Sequence, residues 1–174
     1  IARHHSATET GDFEAFWNYW HDTKGWGTGG YHEIILRDGT VQLCYDPEEI
    51  TNGVANHNAT TYHICVVGNG SFTEAQERAW ENRALYNLKR FTLPVNKVLG
   101  HKEFSGANTA CPGIAMGVVR NRLTYLIDKA KATIKPISSK KLYRVVAGSF
   151  ADKENADAQV IALKKAGFES FIDS

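Results

Sequence analysis

Hydrophobic and polar positions in this chain follow two periods in turn. Ile1 to Ser6 (I-A-R-H-H-S) reads as the end of a strand, and strand side chains alternate faces, so His4 and His5 point in opposite directions. Phe13, Phe16, Trp17 and Trp20 recur at helical spacing, with Thr10, Gly11 and Asp12 as capping candidates and Gly25, Gly27, Gly29 and Gly30 ending the helix. From Tyr31 to Arg37 the period returns to two. Tyr31, Glu33 and Ile35 are expected on one face, and His32, Ile34 and Leu36 on the other. Asp38-Gly39 predicts a two-residue hairpin into a return strand from Thr40 to Tyr45.

After a polar, irregular stretch over 46–60, the apolar run Tyr62 to Val67 reads as an interior strand. Thr73-Glu74-Ala75-Gln76 is a capping box that opens a helix to about Phe91, with Ala79, Trp80, Leu85, Tyr86 and Leu88 as its expected buried positions. Pro94 ends it, and Val95 to Leu99 forms a short strand leading to His101. Ile114 to about Thr133 is a third helix, with Val119, Leu123, Leu126, Ile127 and Ala130 on its inner side. These elements predict an α/β fold: a mixed central β-sheet flanked by about three helices, with a substrate cleft on one side of the sheet.

Composition shifts at residue 134. Ile134 to Lys141 has the Pro, Ser and Lys content of an exposed linker. Beyond it a strand (142–147), a helix (155–166) and a second strand (168–172) make a small β-α-β unit. One helix cannot cover both faces of two strands, so that unit alone is expected to be marginal. The expected domains are thus 1–133, a linker over 134–141, and 142–174.

A formal net charge of +1 over 174 residues gives no basis for a nucleic-acid partner. The apolar runs are too short for membrane insertion. Three cysteines make a poor disulfide framework. Cys44 and Cys65 lie in apolar strand-like runs and are expected to be buried thiols, with a bridge between them left open. A chain that begins at Ile1 rather than methionine is expected to have been trimmed, so its export route is not readable.

The candidate chemistry gathers in Gly100 to Gly113 (G-H-K-E-F-S-G-A-N-T-A-C-P-G), which puts His101 and Cys111 on one short segment. Two ligands do not complete a zinc site, which needs three from the protein when catalytic and four when structural. The third is open at this point, and at most one of His4 and His5 can face the same site. A cysteine hydrolase using Cys111 with His101 is a competing reading, although Pro112 directly after the cysteine fits metal ligation better.

Three segments change the picture when taken together and in order. H-H-S-A-T, G-Y-H-x-I-I-x-R-D-G-T-V and the late G-H…T-A-C-P-G resemble the zinc-dependent N-acetylmuramoyl-L-alanine amidases, over about residues 1–130. That superfamily includes phage lysozyme-amidases and peptidoglycan recognition proteins. The resemblance implies His4, His101 and Cys111 as ligands of one Zn2+ per chain, with the open fourth position taking a water made acidic by the metal. It implies hydrolysis of the amide between N-acetylmuramic acid and the L-alanine of the stem peptide, with peptidoglycan as partner and the bacterial cell wall as the place of action, reached by secretion or phage lysis. A monomer is expected. Tyr31 matches the family's catalytic tyrosine, and Thr109 stands where the family carries Lys or Thr. Glu33 is an additional catalytic candidate from its shared strand face with Tyr31. His57 and Asn58 lie where the family borders its substrate groove, whereas His5, His21 and His32 are expected to be structural. The alternative is a non-catalytic peptidoglycan-binding protein using the same groove. Residues 142–174 resemble the first half of a SPOR domain, a module that binds peptidoglycan glycan strands and would raise the enzyme's effective concentration on its polymer.

Overall fold

The computed structural model describes residues 1–133, 148–168, 170 and 172. The chain forms two compact units, Ile1–Ile134 and Lys135–Ser174. In the first unit a five-stranded mixed sheet has the order β3-β2-β4-β1-β5, where β1 is Ala2–His5, β2 Glu33–Ile35, β3 Val41–Leu43, β4 His63–Val66 and β5 Leu99–Gly100. Only β2 and β3 run antiparallel. The helices are α1 (Phe13–Asn18, continued by a π-helical turn over Tyr19–Thr23), α2 (Glu74–Arg90) and α3 (Met116–Thr133). Among the described residues, no helix is long and apolar enough to cross a membrane.

Register decides which side chains meet. Arg3 and Glu33 both lie beside Ile64, whereas His4 and Ile34 both lie beside Cys65. The Arg3–Ile64–Glu33 row faces α2 and α3, over a core that includes Ile35, Val66, Trp80, Leu88 and Leu123. The His4–Cys65–Ile34 row faces the other way, where Trp20 and the α1 aromatics pack. Arg3 is fully buried, paired with Glu77 and lying over the rings of Trp80 and Phe72 at 4.7 and 5.1 Å.

The expected caps form. Asp12 Oδ1 accepts from Ala15 N at 2.9 Å, and Thr73 and Gln76 exchange side-chain-to-backbone hydrogen bonds at the start of α2. The hairpin differs from expectation. Leu36 N donates to Thr40 O and Gly39 N to Leu36 O, so the loop has three residues, with Gly39 at φ +89°. Asp38 favours this form by capping Thr40 N with Oδ1 at 2.8 Å. The expected strand over 95–99 is a 3₁₀ turn (Val95–Lys97) followed by the two residues of β5. Tyr86, expected to be buried, is 53% exposed and lies under the Arg83 guanidinium.

In the second unit, α4 spans Lys153–Lys165, with a Lys153–Asp157 ion pair at 2.7 Å. The expected linker over 134–141 and strand over 142–147 lie outside the described residues. Of the strand expected over 168–172, the described residues 168, 170 and 172 belong to no strand.

The Tyr31–Glu33 pairing on one face is corrected by the structure. Tyr31 precedes β2 and packs with Trp20, Ile34 and Cys65, whereas Glu33 points into the α2 layer. There its carboxylate, fully buried, accepts from Arg83 Nε and Nη2 (2.6 and 2.8 Å), the Tyr62 hydroxyl (2.8 Å) and Asn87 Nδ2 (2.8 Å). Arg83 reaches it from the helix rim, with its side chain 22% exposed. Removing Arg83 strands a buried charge, whereas removing the carboxylate's charge leaves Arg83 within reach of water. Arg83→Ala is therefore expected to destabilise the first unit by about 3–5 kcal/mol, and Glu33→Gln by only about 1–3 kcal/mol. All four tryptophans (17, 20, 26 and 80) lie in this unit, so urea unfolding followed by their fluorescence reads the difference. Equal effects, or the reverse order, would contradict this account.

Candidate metal centre

Three elements bring the donors together. β1 supplies His4, the turn after β5 supplies His101, and the loop before α3 supplies Cys111. Their ligand atoms all lie within 4.8 Å of one another. His4 Nδ1 is 3.8 Å from Cys111 Sγ, and the rings of His4 and His101 are 4.9 Å apart at 68°. Gly100 permits this approach, since a Cβ there would lie 2.6 Å from Pro112 Cδ and 2.8 Å from Met116 Cγ.

The loop holds itself in shape. Lys102 N donates to Cys111 O at 2.8 Å, closing the segment between the two ligands. Cys111 N donates to Thr109 Oγ1 at 3.1 Å, which makes Thr109 a local brace for the thiol. His57 reaches the same loop from the 51–60 stretch, its Nε2 3.1 Å from Ser105 O and its ring 5.3 Å from Phe104. Asn58 Oδ1 accepts from Val54 N at 2.8 Å, and Asn58 lines a separate cleft of about 290 Å3 with Glu48, Ile50, Tyr62 and Phe91.

Tyr31 lies beside the donors, its ring 5.0 Å from that of His4. Burial, with Cys65 and Cys111 close by, pushes its phenol well above the usual range, so the hydroxyl stays a donor. Burial first, and neighbouring imidazoles second, hold His4 well below the ordinary histidine value; His101 is lowered by burial and His5. Burial raises the Cys111 thiol to about 11, against the lowering effect of the His5 N–H, which donates to Sγ at 3.3 Å. The donor set is thus neutral: two bare imidazoles and one protonated thiol. Nitrogen, nitrogen and sulfur around one point suit a borderline-soft divalent ion such as zinc and leave room for a fourth ligand.

The other histidines are accounted for. His5 contributes its backbone amide, as above. His21 stacks on Trp17 at 5.2 Å and bonds Asp22. His32 Nε2 lies 3.0 Å from Glu49 O, and its Nδ1 accepts from His63 N at 3.0 Å. Sequence reasoning passed over His63, whose Nδ1 lies 3.1 Å from His4 Nε2 in the buried interior. The available signal was its strand period, which puts it on the same face as Cys65 and His4. Burial first, and repulsion from His32 and the N-terminus second, lower it to about 3. All three cysteines are free thiols.

Residues 1–114 match the family model described as N-acetylmuramoyl-L-alanine amidase. The chain belongs to that amidase family. A second model, the SPOR domain, matches residues 119–173. Among curated relatives of this chain, the endolysin of Enterobacteria phage K11 is 36% identical over 101 residues, which is 53% of this chain and 64% of the phage protein. The chain thus spans just under two thirds of the curated relatives it matches. Among solved structures, the Ph2119 endolysin from Thermus scotoductus MAT2119 bacteriophage Ph2119 aligns with a TM-score of 0.62 at 25% identity, covering 70% of this chain and 82% of that one. Drosophila PGRP-LB shares the fold at a TM-score of 0.56 and 20% identity, covering 64% and 72%.

The protonation pattern of the donors has a measurable consequence. At neutral pH the lowered imidazoles carry no proton to displace, while the raised thiol must lose one to ligate. Binding of a divalent metal at pH 7–7.5 is therefore expected to release at least about one proton per site, the one from Cys111. Calorimetry in buffers of different ionisation enthalpy reads this number. A value near zero would show that Cys111 is not a ligand, whereas any excess over one comes from a second group, the metal-bound water or a charged imidazole.

Proposed function

We propose that this chain is a zinc-dependent peptidoglycan hydrolase that cleaves the amide between N-acetylmuramic acid and the L-alanine of the stem peptide. The observation that carries the proposal is the convergence of His4, His101 and Cys111 within 4.8 Å, beside Tyr31, inside the stretch that matches the amidase family. Zinc held by these three residues would supply a Lewis acid that polarises the scissile carbonyl and acidifies a water molecule.

The chain's own residues do the rest. Tyr31, kept protonated by its burial, would donate to the oxygen that gains charge as the carbonyl carbon becomes tetrahedral. Thr109 spends an oxygen lone pair on Cys111 N and keeps its hydroxyl proton for substrate, without a charge to add. The His5 amide, donating to Cys111 Sγ, favours the thiolate over the thiol. Glu33 has no part here, because its carboxylate is committed to Arg83, Tyr62 and Asn87. His57, packed on the 101–111 loop, and Asn58 are proposed to contact substrate. The unit over 142–174, which the SPOR match covers as far as residue 173, would hold the enzyme on glycan strands, so that it acts at the bacterial cell wall.

Digestion of purified muropeptides with mass analysis tests this reading. Wild type is expected to release intact stem peptides with a free L-alanine amine, to stop in chelator and to recover with Zn2+. Cys111→Ser is expected to release none. Release of cut glycans, or cleavage that persists in chelator and stops with a thiol alkylator, would overturn the proposal.

A further inference from the structure

We infer that His63 is a positioning residue that keeps His4 in the tautomer able to bind metal, an inference that rests on the metal-centre reading above. The two nitrogens of His4 face different partners. Nδ1 looks toward Cys111 Sγ at 3.8 Å, and Nε2 lies 3.1 Å from His63 Nδ1. A ligating imidazole is neutral and carries its one proton on the nitrogen that does not ligate. For Nδ1 to bind a metal, Nε2 must therefore hold the proton and donate it. His4 is 1% exposed, so water does not serve as acceptor, and among the described residues the acceptor at that distance is His63 Nδ1. With an apolar side chain at 63, the Nε2–H would be buried without a partner, and the opposite tautomer, which blocks Nδ1, would be favoured. Metal-ligating histidines are commonly held this way through their far nitrogen, usually by a carboxylate or carbonyl. Here the acceptor is a second imidazole.

The surroundings aim His63 at this task. Its backbone N–H is tied to His32 Nδ1 at 3.0 Å, and the two rings stack at 5.7 Å and 24°. Gly53 presses against its other side: a Cβ at position 53 would lie 2.4 Å from His63 Nδ1 and 2.5 Å from Cγ. The far nitrogen, Nε2, is buried with no hydrogen-bond partner, so a proton held there while Nδ1 accepts from His4 has a cost, which metal binding at His4 Nδ1 must offset. The ring can take the form that His4 requires, with Nδ1 bare and the proton on Nε2. Gly53, His63 and His4 thus form a contact chain from the 51–60 loop to the metal centre.

Zinc affinity of the full chain, measured by competition with a chromophoric chelator, tests the inference without reference to turnover. His63→Ala is expected to weaken binding by about 10–100-fold. His63→Asn, whose Oδ1 takes the place of Nδ1 as acceptor, is expected to restore most of that loss, which a purely space-filling role would not allow. Gly53→Ala keeps the imidazole but displaces its ring. It is expected to weaken zinc binding in the wild-type background and to have no effect in the His63→Ala background. Co2+ absorption should shift in His63→Ala and Gly53→Ala and return toward wild type in His63→Asn. Wild-type affinity in His63→Ala or Gly53→Ala, or a His63→Asn variant as weak as His63→Ala, overturns the inference. If His63→Ala does not fold, the other two single variants decide alone. A wild-type chain that takes up no zinc would instead sink the metal-centre reading, and this inference with it.

Discussion

In β1 the side chain of Arg3 enters the helical layer, where Glu77 and the rings of Trp80 and Phe72 receive it, and that of His4 enters the opposite layer. A slip of one residue would exchange them. It would place a guanidinium against Cys111 and leave an imidazole in front of Glu77. Each error is costly enough that the strand has one acceptable register. The pairing then carries this choice sideways. Ile64 and Glu33 follow Arg3 toward the helices, and Cys65 and Ile34 follow His4 toward the site. The buried Glu33–Arg83 pair and the metal centre thus stand back to back across one sheet, set by the same alternation.

The two sides solve the problem of buried polarity differently. Toward the helices, charges are buried in hydrogen-bonded pairs. Toward the site, the donors are buried without charge, two imidazoles held low and a thiol held high. A neutral cluster avoids the large desolvation penalty of a lone buried ion. It also leaves the donors ready, since only the thiol has a proton to give up.

Much of this was legible from residue order. The aromatic spacing of α1, the Thr73–Gln76 cap and the β-rich run into β4 rest on local chemistry, and the structure repeats them. His101 and Cys111 were legible together on one short segment, but His4 joined them only through the resemblance to a family, because a residue so far away in sequence gives no local signal of proximity. Glu33 was misread for a physical reason. Alternation holds within a strand, but Tyr31 lies before β2 begins, so counting by twos across that boundary put both residues on one face. Its real partners, Arg83 and Asn87, stand four apart on α2, a spacing that becomes meaningful only once the helix is known to cover Glu33. His63 was hidden for a related reason: a lone histidine in an apolar strand looks like filler until the residue opposite is known to be a ligand.

The closed segment from His101 to Cys111 is a short-range feature, whereas His4 and Cys111 are 107 residues apart. An ion gripped by all three would join the first strand to the last loop before α3, enclosing all five strands and the first two helices in one ring. Cross-links that span so much chain act chiefly by restricting the unfolded ensemble, as a long-range disulfide does. In a protein whose thiols are all free, the metal would take over the part that a disulfide plays elsewhere. Its loss would loosen the architecture as well as silence the chemistry.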